Sequence, residues 1–204
     1  MSLRRSSSIV LLGAALWMAA CSSKPSTSAP STTGGAPTVK EFVPPPGLVL
    51  ESTCVSTGPE LCYDAIDNNC NALIDEGCGI NTGLIQIAAA WSDSEADVDL
   101  LVTDPNGEDV KASPAPPTSL GMIKDRDCPG SERQCHGQNL ENVFLEPDVE
   151  PAKGTYKVVL QLVKTNGAQL PVKVRVGARV GPRVYGLWVE LGAQGEKKSM
   201  SFTL

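Results

Sequence analysis

The sequence predicts an all-β protein: an antiparallel β-sandwich of jelly-roll-like kind, preceded by a small disulfide-stapled loop module and a disordered lipoprotein tether. Three observations carry that expectation. From Gly83 onward, apolar and polar residues alternate with period two in several segments, punctuated by Gly, Pro and Asn about every 8 to 12 residues. No segment shows the 3.6-residue period of an amphipathic helix, which disfavours a parallel α/β sheet. Upstream of Gly83, Cys54, Cys62, Cys70 and Cys78 stand among Asp and Asn residues with too little apolar material to form a core of their own.

The strand segments follow in order. "GLIQIAAAW" (83–91) is apolar with a β-branched bias. "DVDLLVTD" (97–104) places Val98, Leu100 and Val102 on one face and Asp97, Asp99 and Leu101 on the other, and Pro105-Asn106-Gly107 then turns the chain. "TYKVVLQLV" (155–163) aligns Tyr156, Val158, Leu160 and Leu162. "PVKVRVGARV" (171–180) sets Val172, Val174 and Val176 against Lys173 and Arg175. "RVYGLWVEL" (183–191) sets Tyr185, Leu187, Val189 and Leu191 against Trp188 and Glu190, and "KSMSFTL" (198–204) is short and strand-like. About 120 residues suit one such domain, assigned to 83–204. Ser113 to Asn139 reads as a long loop insert, a length that is usually functional or disordered. Within it Cys128 and Cys135 enclose "PGSERQ", a spacing that suits a local disulfide. His136, the single histidine, reads as an exposed loop residue rather than a catalytic base.

The chain opens with Arg4 and Arg5 and an apolar run from Ile9 to Ala20, shorter than the roughly 20 residues that span a bilayer. That is the pattern of a secretory signal peptide, residues 1–20. "LWMAAC" (16–21) resembles a bacterial lipobox, with Met18 where leucine is usual. The resemblance implies cleavage before Cys21 and lipid on its thiol; the alternative is an ordinary signal and an incidental cysteine. Ser22, rather than Asp, follows Cys21, which by analogy with lipoprotein sorting favours the outer membrane. The expected location is therefore exported and membrane-anchored through lipid, with the periplasmic or surface face left open. Ser22 to Pro46 is almost all Ser, Thr, Pro, Gly, Ala and Lys and cannot bury enough apolar area to offset its ordering entropy; the linker is drawn over 21–50. Six cysteines remain beside Cys21, and in an exported chain they imply disulfides, with fifteen possible pairings. Loss of the signal takes the net charge from −6 to −8, which argues against nucleic acid as a partner and suits a divalent cation.

The module, residues 51–80, offers oxygen at alternate positions, as a calcium loop requires. Counted from Asp67, positions 1, 3 and 5 of an EF-hand-like loop are Asp67, Asn69 and Asn71; Leu73 offers its carbonyl at 7, and Asp75 stands at 9. Position 12 is Cys78 rather than Glu, with Glu76 nearby to substitute, and position 6, which wants Gly, is Ala72. The competing reading is a disulfide-stapled cap whose Asp and Asn simply close turns. Zinc is disfavoured because there is no C-x-x-C pair.

Two resemblances extend this reading. "ELCYDAIDNNCNALIDEGC" (60–78) resembles the metal-binding motif named after the copper-binding protein MopE: Cys62, Asp64, Asp67, Asn68, Asn69, Cys70, Asp75, Glu76 and Cys78 fall in place, while Ala65 and Ala72 replace motif glycines. The Asp/Asn spacing is also similar to type-3 thrombospondin repeats, which wrap calcium. Copper, the metal in the motif's label, wants imidazole or sulfur; the single histidine, His136, is far away in sequence and the cysteines are expected to be oxidised, so the residues favour a hard cation such as calcium. Farther on, "AWSDSEADVDLLVTDPNGEDV" and "ENVFLEPDVEPAKGTYKVVLQLV" resemble the family of domains of unknown function typified by YfaP, through Trp91, Asp97, Asp99, Asp104, Asn106, Gly107, Glu141, Asn142, Gly154 and Tyr156. That resemblance implies a β-sandwich with no established activity.

Asp97 and Asp99 share a strand face and repel unless solvated, protonated or bridged; with Asp93, Asp104 or Glu141 they would make a second calcium site, and the alternative is a solvated face. No G-x-S-x-G and no second histidine accompany them. The expectation is a non-enzymatic lipoprotein of the cell envelope whose sandwich binds an unidentified envelope protein or glycan or is purely structural, the alternative being a carbohydrate-binding module of the cell surface using Trp188.

Overall fold

The alternating segments become strands that bury one face between two sheets. The computed structural model describes residues 36–93, 95–129, 135 and 137–204. The stretch read as a signal, Cys21, the part of the expected tether up to residue 35 and His136 lie outside the described residues. Nine strands occur in order: β1 (Glu41–Val43), β2 (Ile85–Trp91), β3 (Asp97–Thr103), β4 (Met122–Arg126), β5 (Leu140–Leu145), β6 (Thr155–Lys164), β7 (Val172–Val180), β8 (Arg183–Leu191) and β9 (Lys197–Thr203). One sheet runs β1-β9-β6-β3 and the other β4-β5-β2-β7-β8. Every pairing between named strands is antiparallel. The pairs β1·β9, β2·β7, β3·β6 and β4·β5 nest like a folded-over ribbon, as in a jelly roll, and β8 extends the edge beside β7.

Period-two patterning explains the core. In β6, Tyr156, Val158, Leu160 and Leu162 are buried and the residues between them are not. Tyr156 stacks on Phe202 of β9 at 4.8 Å between ring centroids. Each such side chain, fully buried, contributes about 1.5–3 kcal/mol.

β2 departs from the pattern, because all seven of its residues are buried. Ile85, Ile87, Ala89 and Trp91 face the inter-sheet core. Ala88 and Ala90 face the other way, into a second cluster with Leu140 and with Ala65 and Ile74 of the module. The module is thus a lid on the outer face of the five-stranded sheet. The approach is close: Gly177 of β7 lies opposite Ala88, and a Cβ there would overlap the Ala65 carbonyl. Buried amides join the two layers, Gln86 Nε2 donating to the Ile74 carbonyl at 3.1 Å and to Asn142 Oδ1 at 3.0 Å.

Three strands fall where the sequence reading places none; one is β5, buried on both faces and so without alternation. β1 falls inside the stretch drawn as linker, where Phe42 packs on Tyr185 at 5.3 Å and Leu48 and Leu50 lean on the core. Four apolar residues in a Pro-rich stretch are enough to hold it once a sheet edge is present. β4 falls inside the stretch drawn as a loop insert; its inward positions are Met122 and Lys124, and the buried lysine hides the alternation. The cysteines pair as Cys54–Cys70, Cys62–Cys78 and Cys128–Cys135.

Candidate functional site

The module is organised by side-chain oxygens that accept backbone N–H groups. Asp67 starts the loop: its Oδ1 accepts from Asn71 N at 3.0 Å and its Oδ2 from Ala72 N at 2.9 Å. Asn69 Oδ1 also accepts from Asn71 N, and Asn71 Oδ1 accepts from Leu73 N at 2.8 Å. Oxygen-bearing residues 1, 3 and 5 of the loop therefore curl around their own backbone, and Ala72 at position 6 has φ 67°, the left-handed turn for which a calcium loop uses Gly. Ala65, at the other replaced glycine, has φ 57°. The amides of Asn69 and Asn71 both donate to Glu76 Oε1 at 2.6 Å, and Glu76 Oε2 is buried with no partner.

Of the six residues the sequence proposes as ligands, the structure converges Asn69, Asn71 and Glu76 and ties Asp67 to the same turn. Leu73 enters that turn through its N–H. Asp75 is the exception. It is fully buried, and its carboxylate accepts N–H groups from Tyr63 at 2.6 Å, Asp64 at 3.2 Å and Ala65 at 3.1 Å, so it anchors the neighbouring turn. Glu60, to which sequence reasoning assigned no role, does likewise, accepting from Asp75 N at 2.8 Å and Asn68 N at 3.0 Å. Burial raises Glu60 to about 7 against the pull of those N–H groups, and raises Asp75 to about 6.

Carboxylate and amide oxygens are the donors a hard cation takes, and an amide oxygen that accepts one N–H keeps a second lone pair; here the Asn69 and Asn71 amide nitrogens face Glu76, so a cation there would need those amides to turn. All four module cysteines are in disulfides, which leaves no thiolate there for copper or zinc.

A second acidic group lies at the open side of the sandwich. Asp99 of β3, Asp127 just beyond β4 and Glu141 of β5 bring carboxylate oxygens within 4.8 Å of one another. Glu141 is fully buried between the sheets, where Oε2 accepts the Leu100 N–H of edge strand β3 and pairs with Lys124 Nζ at 2.9 Å. Lys124 also reaches Asp127 Oδ1 at 2.5 Å. Burial raises Glu141 well above the usual carboxylate range, and raises Asp97 and Asp99 as well. Asp97 lies 3.8 Å from Lys164.

The grouping of Asp97 and Asp99 with Asp104 is corrected here. Asp104 lies five residues along the chain from Asp99, roughly 17 Å for an extended strand. Its Oδ1 accepts N–H groups from Asn106 at 2.9 Å and Glu108 at 3.0 Å, making it a turn residue. Asp93 too is used by a turn, accepting from Glu95 N and Gln169 N. Asp127 and Lys124 carried no sequence signal, because they sit in a stretch with no visible periodicity.

A third feature surrounds Trp188, whose side chain is 53% exposed. The Arg175 guanidinium lies 5.5 Å from its ring and pairs with Glu51 at 2.6 Å. They line a cleft of about 390 Å³ with Thr53 and Asp67 at its rim. Among the described residues no helix is long and apolar enough to cross a membrane. Comparison with protein-family models, with curated proteins and with solved structures finds no match.

Proposed function

We propose that this chain is an exported, non-enzymatic lipoprotein of the cell envelope, whose β-sandwich serves a binding or structural role and whose Cys/Asp module is a calcium loop sealed onto one sheet. The observation that carries the calcium reading is the winding of residues 67–72, with Asp67, Asn69 and Asn71 turned onto their own backbone, a left-handed Ala72, and Glu76 held beside the turn by the Asn69 and Asn71 amides. The resemblances to the MopE-type motif and the YfaP-like domain belong to the same reading. So do three disulfides, the habit of exported chains. Anchoring through Cys21 is the remaining part: Cys21→Ser should release the protein from the membrane fraction, and retention of that variant would remove the lipid anchor.

A cation bound only by the folded state stabilises it by RT ln(1 + [L]/Kd), about 2.7 kcal/mol at a hundredfold excess over Kd. The oxidised protein should therefore melt higher in calcium than in chelator, and Glu76→Gln should reduce that shift. No shift in the wild type, or an undiminished shift in Glu76→Gln, removes calcium from the module.

The exposed Trp188, backed by Arg175, supports a second reading as a carbohydrate-binding surface, since an indole face with polar groups at its rim suits a sugar ring. Glycan pull-down by wild type and not by Trp188→Ala would favour it; equal retention would exclude it.

A further inference from the structure

We propose a second calcium site, built from Asp99, Asp127 and Glu141 across the open edge of the sandwich, in which the Lys124 ammonium acts as the resident cation until calcium arrives. The three carboxylates come from three separate segments, β3, the residue after β4, and β5, and so from both sheets. Their oxygens lie within 4.8 Å of one another. Three carboxylates so placed offer the hard oxygen donors that calcium takes.

An unpartnered oxygen points to a ligand independently of that spacing. Glu141 is fully buried, and while its Oε2 holds Lys124 and the Leu100 N–H, its Oε1 has no hydrogen-bond partner. A buried carboxylate oxygen left bare is costly, and a cation on it removes the cost. The charge is also unbalanced: Lys124 faces Asp127 and Glu141 directly, with Asp99 and Asp97 beside them, and among the described residues the one further cation near them, Lys164, is exposed and lies 3.8 Å from Asp97. On loading, Lys124 gives up Asp127, and one carboxylate oxygen each of Glu141, Asp127 and Asp99 goes to the ion. Such a site would strap edge strand β3 to the β4–β5 hairpin and fix Asp127, which adjoins the Cys128–Cys135 disulfide.

The test is a calorimetric titration of the full chain, oxidised and stripped with chelator, using calcium chloride alone. Asp127 is exposed, so Asp127→Asn should fold normally; it should lose one calcium equivalent that Glu76→Gln retains. Lys124→Met, which removes the competing ammonium, should tighten that same equivalent by more than about tenfold. Stoichiometry unchanged in Asp127→Asn, or affinity unchanged in Lys124→Met, overturns the proposal. The module reading fails separately, if Glu76→Gln loses no equivalent.

Discussion

The module and the sandwich it covers are stabilised by opposite means. In the sandwich, apolar side chains interdigitate between two sheets, and polar groups are mostly pushed outward. In the module, two interleaved disulfides and a set of carboxylates and amides hold backbone N–H groups, while only Ala65 and Ile74 contribute buried apolar side chains to the shared cluster. The contrast shows how a segment too polar for its own core can still be fixed, by covalent closure of the chain and by satisfying its turns from within. The junction between them is narrow, made of Ile74, Gly177 and the Gln86–Asn142 amides.

The sharpest way to break the contrast is to open the module's disulfides. Each closes a loop of 16 residues' separation, worth about 3 kcal/mol in the chain-entropy account. Replacing all four module cysteines by Ser should destabilise the module strongly, read by proteolysis within residues 54–78, while the near-ultraviolet signal of the buried Trp91 persists. Loss of that signal together with the module would show that the sandwich depends on its lid. Next in size, Ile74→Ala should cost about 2–5 kcal/mol in urea unfolding, as a fully buried aliphatic, although it lies in a region otherwise held by polar contacts. A cost under about 1 kcal/mol would mean that the lid is not packed.

The acidic groups set a pH dependence. Burial raises the folded-state values of Glu60 to about 7 and of Asp75 to about 6, above their ordinary 4.5 and 3.8. Between those limits the folded state holds protons that the unfolded chain has released, so stability falls as pH rises. Glu141, Asp97 and Asp99 are displaced in the same direction. The melting temperature of calcium-free protein should therefore drop from pH 5 to pH 7, and a rise over that range would contradict the burial of these acids. The smallest effect expected is at Ala72, where φ 67° strains any residue with a Cβ. Ala72→Gly should stabilise by about 0.5–1 kcal/mol in urea unfolding; destabilisation would place Ala72 in a right-handed turn.

Legibility in the sequence followed the same divide. β3 and β6 to β9 were visible as alternation because one face of each is apolar. β2 was visible as a strand, but not its two buried faces, since Ala65, Ile74 and Leu140, which cover Ala88 and Ala90, are distant in sequence. β1, β4 and β5 were hidden, β1 by its length of three residues and surrounding prolines, β4 by an inward Lys124, and β5 by burial of all six of its residues, which leaves no alternation. In the module, the residue types announced oxygen chemistry, yet only the fold separates Asn69, Asn71 and Glu76 from Asp75, whose carboxylate is committed to three N–H groups. The acidic cluster was half visible: Asp99 and Glu141 were candidates, while Asp127 and the lysine among them become neighbours only through strand pairing.

The calcium loop in the module is tested most directly by amide hydrogen exchange of the oxidised protein in calcium and in chelator. Calcium should slow exchange at Asn71, Ala72 and Leu73, whose N–H groups bond to Asp67, Asn69 and Asn71, while β7 and β9 exchange at unchanged rates. Exchange at those three amides that is indifferent to calcium would contradict the account and leave the module a disulfide-stapled lid.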